Sequence, residues 1–336
     1  MGKKICIAAK IKDELEGVLE RRFPQHRIVW LQDMSASERL EAIDGAQYLL
    51  AATLTAELSD EEKRILNRVG MVQTISAGID QADFSVLPKD INLYSNVGGW
   101  STSIAEHALA MTLCCTRRLV PQTRALAEGK FIYRGFGQKL LRECRVLVLG
   151  WGSIGRSAAV LHKALGCSLA GLGRTAPNDP LLDASYSMDE LDAALAEADV
   201  VILALPHTRL THNVINARTL ALMKDDAILV NVARAGLIDH DALEAHMASH
   251  PNFYAAIDPW WQERSHYPAE GDAVAHLPNA VGTAHNSNES ATSMREALES
   301  ALKNIENAIA GRPLKGRVDA DEYQDIAHAG CDFQKA

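Results

Sequence analysis

Arg145–Gly155 reads RVLVLGWGSIG: an apolar run followed at once by Gly150, Gly152 and Gly155 in the spacing Gly-x-Gly-x-x-Gly. Such a run followed by such a turn predicts a strand entering a helix around a phosphate. Gly150 permits the tight turn, Gly152 lets a pyrophosphate approach the backbone, and Gly155 lets the helix pack close to its strand. The helix N-terminus then offers unpaired N–H groups and partial positive charge. Gly-x-Gly-x-x-Gly alone is a weak signal, and a purely structural turn would read the same way. The strand before it and the helix after it favour a dinucleotide site.

The partner that should follow is missing. NAD sites usually carry Asp or Glu about 20 residues on, at the end of the next strand, to accept the ribose hydroxyls. Here the strand SLAGLG ends in Gly173-Arg174-Thr175. Gly173 leaves room, Arg174 can pair with a 2′-phosphate, and Thr175 can donate its hydroxyl. The expected cofactor is therefore NADP(H), with NAD(H) second. The other reading makes Arg174 a solvated surface residue and leaves Asp179 and Asp183 to reach round.

Around this motif the chain alternates strands and helices. ICIAA, RIVWL, QYLLAA and MVQTIS read as strands in the first hundred residues, with capping boxes at Ser35/Glu38 and Ser59/Glu62 between them. A helix is expected from Ser103 to Leu119, with Ser103 and Glu106 as its capping box. It is apolar on most faces, so it is either a domain or subunit junction or an ordinary core helix. VLVLG, SLAGLG, VVILALP, AILVNVA, FYAAID and AVGTA then read as six strands. A last amphipathic helix spans about Ser290 to Ala310. Such alternation implies an α/β fold with parallel sheets, whose ligands lie at the C-terminal strand ends.

Bulk properties limit the alternatives. The 336 residues exceed one ordinary core. A net charge of −9 argues against a nucleic-acid binder. No apolar run reaches the ~18 residues of a membrane helix, and the apolar stretch after Met1-Gly2-Lys3-Lys4 is too short for a signal peptide. The six cysteines form no Cys-x-x-Cys pair, so no metal site is expected and the thiols read as reduced, in a cytoplasmic protein.

Three strand ends carry the residues that carbonyl reduction beside a carboxylate needs. Arg234 follows AILVNVA, Glu263 follows FYAAID, and His285 follows AVGTA. His is the natural proton donor near neutral pH. A carboxylate favours and orients its imidazolium, and Arg grips the substrate carboxylate. Each residue alone would more often be structural or a surface charge, and the argument rests on their joint placement.

With these stretches together the chain resembles the D-isomer-specific 2-hydroxyacid dehydrogenase family. The resemblance is carried by SAGID (Ser76–Asp80), WSTSIAEHALAMTL from Trp100, LGWGSIG (Leu149–Gly155), LALPHTRLTHNVIN from Leu203, NVARAGLID from Asn231, AAIDPWWQE from Ala255 and GTAH (Gly282–His285). It implies two Rossmann-like or flavodoxin-like domains: a substrate domain of residues 1–98 and 287–336, split around a dinucleotide-binding domain of residues 99–286. Hinges would lie near Gly98-Gly99 and Asn286, with closure excluding water. It implies an Arg234–Glu263–His285 site, with the Ala77 and Gly78 amides on the substrate carboxylate. Asp258 would meet the nicotinamide carboxamide, Ser153 and Ile154 would lie against the pyrophosphate, and Thr208 would lie close to the nucleotide. It also implies a homodimer formed through the coenzyme domain, and a small 2-keto or 2-hydroxy acid as substrate, with glyoxylate and hydroxypyruvate as candidates.

Departures from the pattern fall around the site. Pro259 stands where Val is frequent, Arg264 where Pro usually follows the Glu, and Ala284 where Pro usually precedes the His. Trp260 and Trp261 either wall the substrate site or cover a domain seam or dimer contact. Two other readings stay open. A formate dehydrogenase of the same superfamily would pair the His with Gln, as Gln262 beside Glu263 allows. A corepressor-like protein would sense the dinucleotide without turnover.

Overall fold

The computed structural model describes residues 2–15, 17–261 and 272–324. The chain divides into two compact units, one of Met1–Trp100 with Ser290–Asp325 and one containing Ser101–Glu289.

In the first unit β1 (Lys4–Ile7), β2 (Arg27–Trp30), β3 (Tyr48–Ala51), β4 (Met71–Thr74) and β5 (Leu93–Tyr94) form a parallel sheet in the order β2-β1-β3-β4-β5. This is the flavodoxin-like order. Every residue of β3 and β4 is buried, which explains why β3 reads as an unbroken apolar run rather than an alternating one. The expected capping boxes form. The Ser35 N–H donates to Glu38 at 2.8 Å, and Glu62 N–H donates to the Ser59 hydroxyl at 3.3 Å. Glu62 is buried and meets Arg39 at 2.5 Å. Burial pushes its carboxyl up, but the bonds from Arg39 and Ser59 outweigh this and hold it below the usual range.

The C-terminal helix Ala291–Ile309 returns to this first unit through buried amides. Asn304 donates to the Gln73 side chain at 2.7 Å and to the Lys315 carbonyl at 2.9 Å. Asn96 donates to the carbonyls of Ile75 and Ala297, each at 2.8 Å. These bonds stitch chain segments some 200 residues apart in sequence into one unit.

In the second unit seven strands are parallel: β6 (Arg145–Leu149), β7 (Ser168–Gly173), β8 (Ala184–Ser187), β9 (Val200–Leu203), β10 (Ile228–Asn231), β11 (Tyr254–Ile257) and β12 (Ala280–Gly282). Their order is β12-β11-β10-β9-β6-β7-β8. The chain builds outward from β6 to β8, then crosses to the other side of β6 and builds to β12. The switch point of this doubly wound sheet therefore lies between β6 and β9, directly at the glycine turn.

The structure corrects two sequence expectations. The second sheet has a seventh strand, β8, an edge strand of sequence ASYS that is only partly buried and so carries no apolar run. The helix expected from Ser103 begins at Ser101 and ends at Thr116, so Ser103 is not its cap. Gly98, at φ +98°, turns the chain early, and the Trp100 indole N–H is tied to the Ile75 carbonyl at 2.8 Å. That helix packs against helix Ser153–Ala164 and the second sheet, as a core helix of the second unit. His162 joins the two helices, bonding the Ala158 carbonyl at 2.7 Å and the Thr112 hydroxyl at 3.1 Å. Burial lowers its affinity for a second proton, so it serves as a neutral strut.

Two expected outcomes follow from the packing. A Cβ on Gly155 would sit 2.1 Å from the Gly150 carbonyl oxygen, a backbone atom that cannot move aside. Gly155→Ala should therefore cost about 1–3 kcal/mol of second-unit stability in urea unfolding, and an unchanged midpoint would refute this close approach. His246 supplies the second. Burial, and then the stacked His250 at 4.1 Å, push its imidazole down to about 4, and its Nε2 has no hydrogen-bond partner. The folded value lies below the ordinary 6.5, so the unfolded chain binds more protons. Stability is full above that ordinary value and is lost as pH falls towards the folded one. The ring is partly exposed, so the loss is discounted to about 1 kcal/mol. Unfolding of His246→Gln between pH 7 and pH 4 should show a correspondingly shallower acid slope, with a wild-type slope counting against the assignment.

Candidate active site at the C-terminal strand ends

All seven strands of the second unit point the same way, so the loops after them share one edge. The glycine turn opens this edge. Gly150 takes φ +104°, and a Cβ there would meet the Ala204 carbonyl oxygen at 2.5 Å. Gly152 caps helix Ser153–Ala164 with an extended backbone and no side-chain hydrogen bond. A Cβ at Gly152 would meet nothing within 4 Å. Packing thus dictates the first and third glycines, while the second faces open space beside the unpaired N–H groups of a 12-residue helix. A pyrophosphate would fit there: Gly152 leaves it room, and the N–H groups from Ser153 onward would be its donors.

Beyond β7, Gly173 is half-buried and Arg174 and Thr175 are exposed. The two nearby acids are otherwise engaged. Asp183 holds Lys163 at 2.7 Å and the Leu169 N–H at 2.8 Å, at the opposite end of β7. Asp179 accepts from Arg156 Nε at 2.7 Å, from the Leu181 N–H at 3.0 Å and from Trp151 Nε1 at 3.3 Å. The Arg156 bond, chiefly, holds its carboxyl below the usual range. No acidic residue occupies the position directly after β7.

After β9 the chain folds into a tight knot around Thr208, which is buried. Its N–H donates to Thr211 Oγ1 at 2.9 Å, and that hydroxyl donates to the Pro206 carbonyl at 2.7 Å. His207 Nε2 lies 3.0 Å from His212 Nδ1. The His207 ring rests on the backbone of Gly236, where a Cβ would come within 2.5 Å of it. Gly236 lies in the turn just after Arg234.

Arg234 itself follows β10 in an extended conformation. Buried Asn231 fixes that loop from within, donating to the Arg234 carbonyl at 2.9 Å and accepting from the Ala233 N–H at 3.0 Å. Sequence reasoning passed over Asn231; an amide closing an otherwise apolar strand, three residues before Arg234, was the available signal.

Asp258, after β11, is fully buried. Its Oδ1 accepts from the Thr283 hydroxyl at 2.7 Å and the Asn286 N–H at 3.1 Å, and its Oδ2 from the Ser287 N–H at 3.4 Å. Its backbone carbonyl accepts from the His285 N–H at 3.0 Å. His285 has φ +49°, a left-handed conformation costing a non-glycine residue about 1–3 kcal/mol. The Asp258 bonds hold that turn. His107, from helix Ser101–Thr116, adds its Nε2 at 3.0 Å from Thr283 Oγ1 and 3.7 Å from Asp258 Oδ1.

Trp260 and Trp261 follow Asp258 in the turn after β11. Both indoles are buried in the second unit's own core. Trp260 donates to the Thr283 carbonyl at 2.9 Å and covers Gly282, and Trp261 donates to the Ile238 carbonyl at 3.0 Å. Glu263 lies outside the described residues. Ala77 and Gly78 belong to the first unit, in the half-buried turn after β4, where the Ser76 hydroxyl donates to the Gly78 carbonyl at 2.7 Å. Gly150, Gly152, Ser153, Ile154, Gly155, Arg174, Thr175, Thr208, Arg234, Asp258 and His285 thus all sit in the turns at one edge of the second sheet.

The profile of the D-isomer specific 2-hydroxyacid dehydrogenase NAD binding domain matches residues 109–287. The hydroxypyruvate reductase of Thermotoga maritima is 29% identical over 262 residues, 76% of this chain and 82% of its own. The D-lactate dehydrogenase of Treponema pallidum is 30% identical over 274 residues, covering 79% and 81%. Among solved structures, an NADPH-dependent glyoxylate/hydroxypyruvate reductase from Sinorhizobium meliloti in complex with NADP and sulfate superposes with a TM-score of 0.78 at 20% identity, over 96% of this chain and 99% of that one. At that identity it speaks for the fold alone. Among the described residues no helix is long and apolar enough to cross a membrane. The glycine turn at the switch point, the strand-end residues and the profile match over more than half the chain converge: this protein is an enzyme of the D-isomer-specific 2-hydroxyacid dehydrogenase family, and residues 109–287 form its NAD-binding domain.

Proposed function

We propose that the chain is an NADP(H)-preferring D-2-hydroxyacid dehydrogenase that works mainly as a 2-keto acid reductase, with glyoxylate or hydroxypyruvate as substrate. The observation that carries the cofactor preference is Gly173-Arg174-Thr175 after β7, with Asp179 and Asp183 both committed to basic partners. A carboxylate there would repel a 2′-phosphate, whereas Arg174 attracts one and Thr175 can donate to it. The substrate class draws support from the hydroxypyruvate reductase relative.

The division of labour follows. Residues 99–286 hold the dinucleotide and residues 1–98 with 287–336 the substrate. The Gly152–Gly155 amides bind the pyrophosphate and Thr208 lies against the nucleotide. Asp258 meets the carboxamide. The bound nicotinamide supplies the hydride. Arg234 pairs with the substrate carboxylate and polarises the neighbouring carbonyl, and the Ala77 and Gly78 amides hold the same carboxylate from the other domain. His285 gives its proton to the carbonyl oxygen as hydride arrives at the carbon, and Glu263 keeps the imidazole charged and oriented.

Two copies are proposed to pair through the second unit. After helix Leu119–Ala127, Phe131 is 84% exposed and Tyr133 81%, beside exposed Leu119 and Leu126. Apolar side chains this exposed in one segment suit a subunit contact. Cytoplasmic residence accords with free thiols at Cys6, Cys114, Cys115, Cys144 and Cys167, with burial pushing Cys6 and Cys167 up to about 11.

A panel of 2-keto acids assayed with NADPH and NADH side by side tests the reading. NADPH should give the higher kcat/KM, and Arg174→Asp should lower the NADPH value by about tenfold or more. Higher efficiency with NADH overturns the cofactor assignment, and tight NADPH binding without turnover favours a sensor. His285→Asn should lower kcat about a hundredfold or more. In sedimentation, Phe131→Ser with Tyr133→Ser should shift a dimer towards monomer; a wild type that is already monomeric contradicts the pairing.

A further inference from the structure

Thr283 has a single hydroxyl proton. It lies 2.7 Å from Asp258 Oδ1, a carboxylate oxygen that also receives the Asn286 N–H. A carboxylate met by these donors acts only as acceptor, so the Thr283 proton goes to Asp258. The lone pairs of Thr283 Oγ1 are then what His107 Nε2 meets at 3.0 Å. Two lone pairs facing each other at that distance would repel. His107 must therefore carry its proton on Nε2, and the bonds run in one direction, from His107 to Thr283 to Asp258. The chain ends on the turn in which Asp258 holds the amides of His285, Asn286 and Ser287 and in which His285 takes its left-handed conformation.

We propose that His107 is a positioning residue for His285. Its Nε2–H locks the rotor of Thr283, the locked hydroxyl fixes Asp258, and Asp258 holds the turn that presents the imidazole of His285. The inference rests on His285 being the proton donor proposed above. His107 meets no reacting atom in this account; it acts through two intermediaries, all four residues belonging to the second unit. Without its N–H, Thr283 is free to turn away, and Asp258 keeps only its backbone donors. The turn is then left to relax towards right-handed or extended geometry, and the imidazole moves off the carbonyl oxygen.

The test uses the full-length enzyme and pairs of variants. His107→Phe keeps a ring and removes the donor. His107→Gln returns an N–H at nearly the same distance from the backbone. Two quantities are read: exchange of the Asn286 and Ser287 amides without cofactor, and kcat and KM for keto-acid reduction. His107→Phe should speed exchange of both amides about tenfold. It should lower kcat about tenfold to a hundredfold with little change in the KM for NADPH. His107→Gln should recover most of both losses, which a role in packing alone would not produce. Thr283→Val should reproduce the His107→Phe phenotype, and the double variant should be no worse than either single one. Wild-type exchange and kcat in His107→Phe, or equal damage in His107→Gln, overturns the proposal. Absence of keto-acid turnover in the wild type overturns the functional reading instead, and the exchange measurement still decides the hydrogen-bond chain.

Discussion

Helix Ser153–Ala164 lies so close to the end of β6 that no Cβ fits between Gly155 and the Gly150 carbonyl. The rest of the second unit depends on this contact. It sets the helix N-terminus directly over the strand, at the point where the chain crosses from β8 to β9. Neighbouring strand ends must then open on either side of that N-terminus. The helix dipole and its unpaired N–H groups aim at the space left beside Gly152, and an anion placed there is met by backbone alone. The next strand end carries Arg174, with no acid directly after β7; the proposed cofactor preference rests on it.

A second theme is how the edge keeps its turns in place. Asn231, Thr211 and Asp258 spend buried side-chain hydrogen-bonding groups on neighbouring backbone. Each has a strand behind it and a loop in front of it. Buried polar groups need partners, so a side chain satisfied by a loop fixes that loop. The left-handed His285 is the extreme case, in a turn whose Asn286 and Ser287 amides both bond the Asp258 carboxylate.

Residues that act by what they lack, or by period, were readable in sequence. The glycines of the turn, the missing acid after β7, the apolar runs of β3 and β9, and the boxes at Ser35 and Ser59 carry local signals that need no knowledge of neighbours. Features created by tertiary contact were not. β8 is an edge strand of small polar residues. The helix start at Ser101 is set by a turn at Gly98 and an indole bond to Ile75, while sequence offered a well-formed but unused box at Ser103. Trp260 and Trp261 looked like site residues because they adjoin Asp258, yet their neighbours in space are Gly282 and Ile238. His107 was read only as part of an apolar helix, and nothing local connects it to Thr283, 176 positions away.

In the proposed complex the Gly150–Gly155 turn receives the pyrophosphate and the segment after β7 receives the 2′-phosphate. Amide hydrogen exchange, measured with and without saturating NADPH and in the absence of any keto acid, tests it most directly. NADPH should slow exchange at Gly152–Gly155 and at Arg174-Thr175, and NADH should protect the first segment and leave the second nearly unchanged. Protection by NADPH that bypasses the glycine turn, or an identical pattern with the two cofactors, would contradict it.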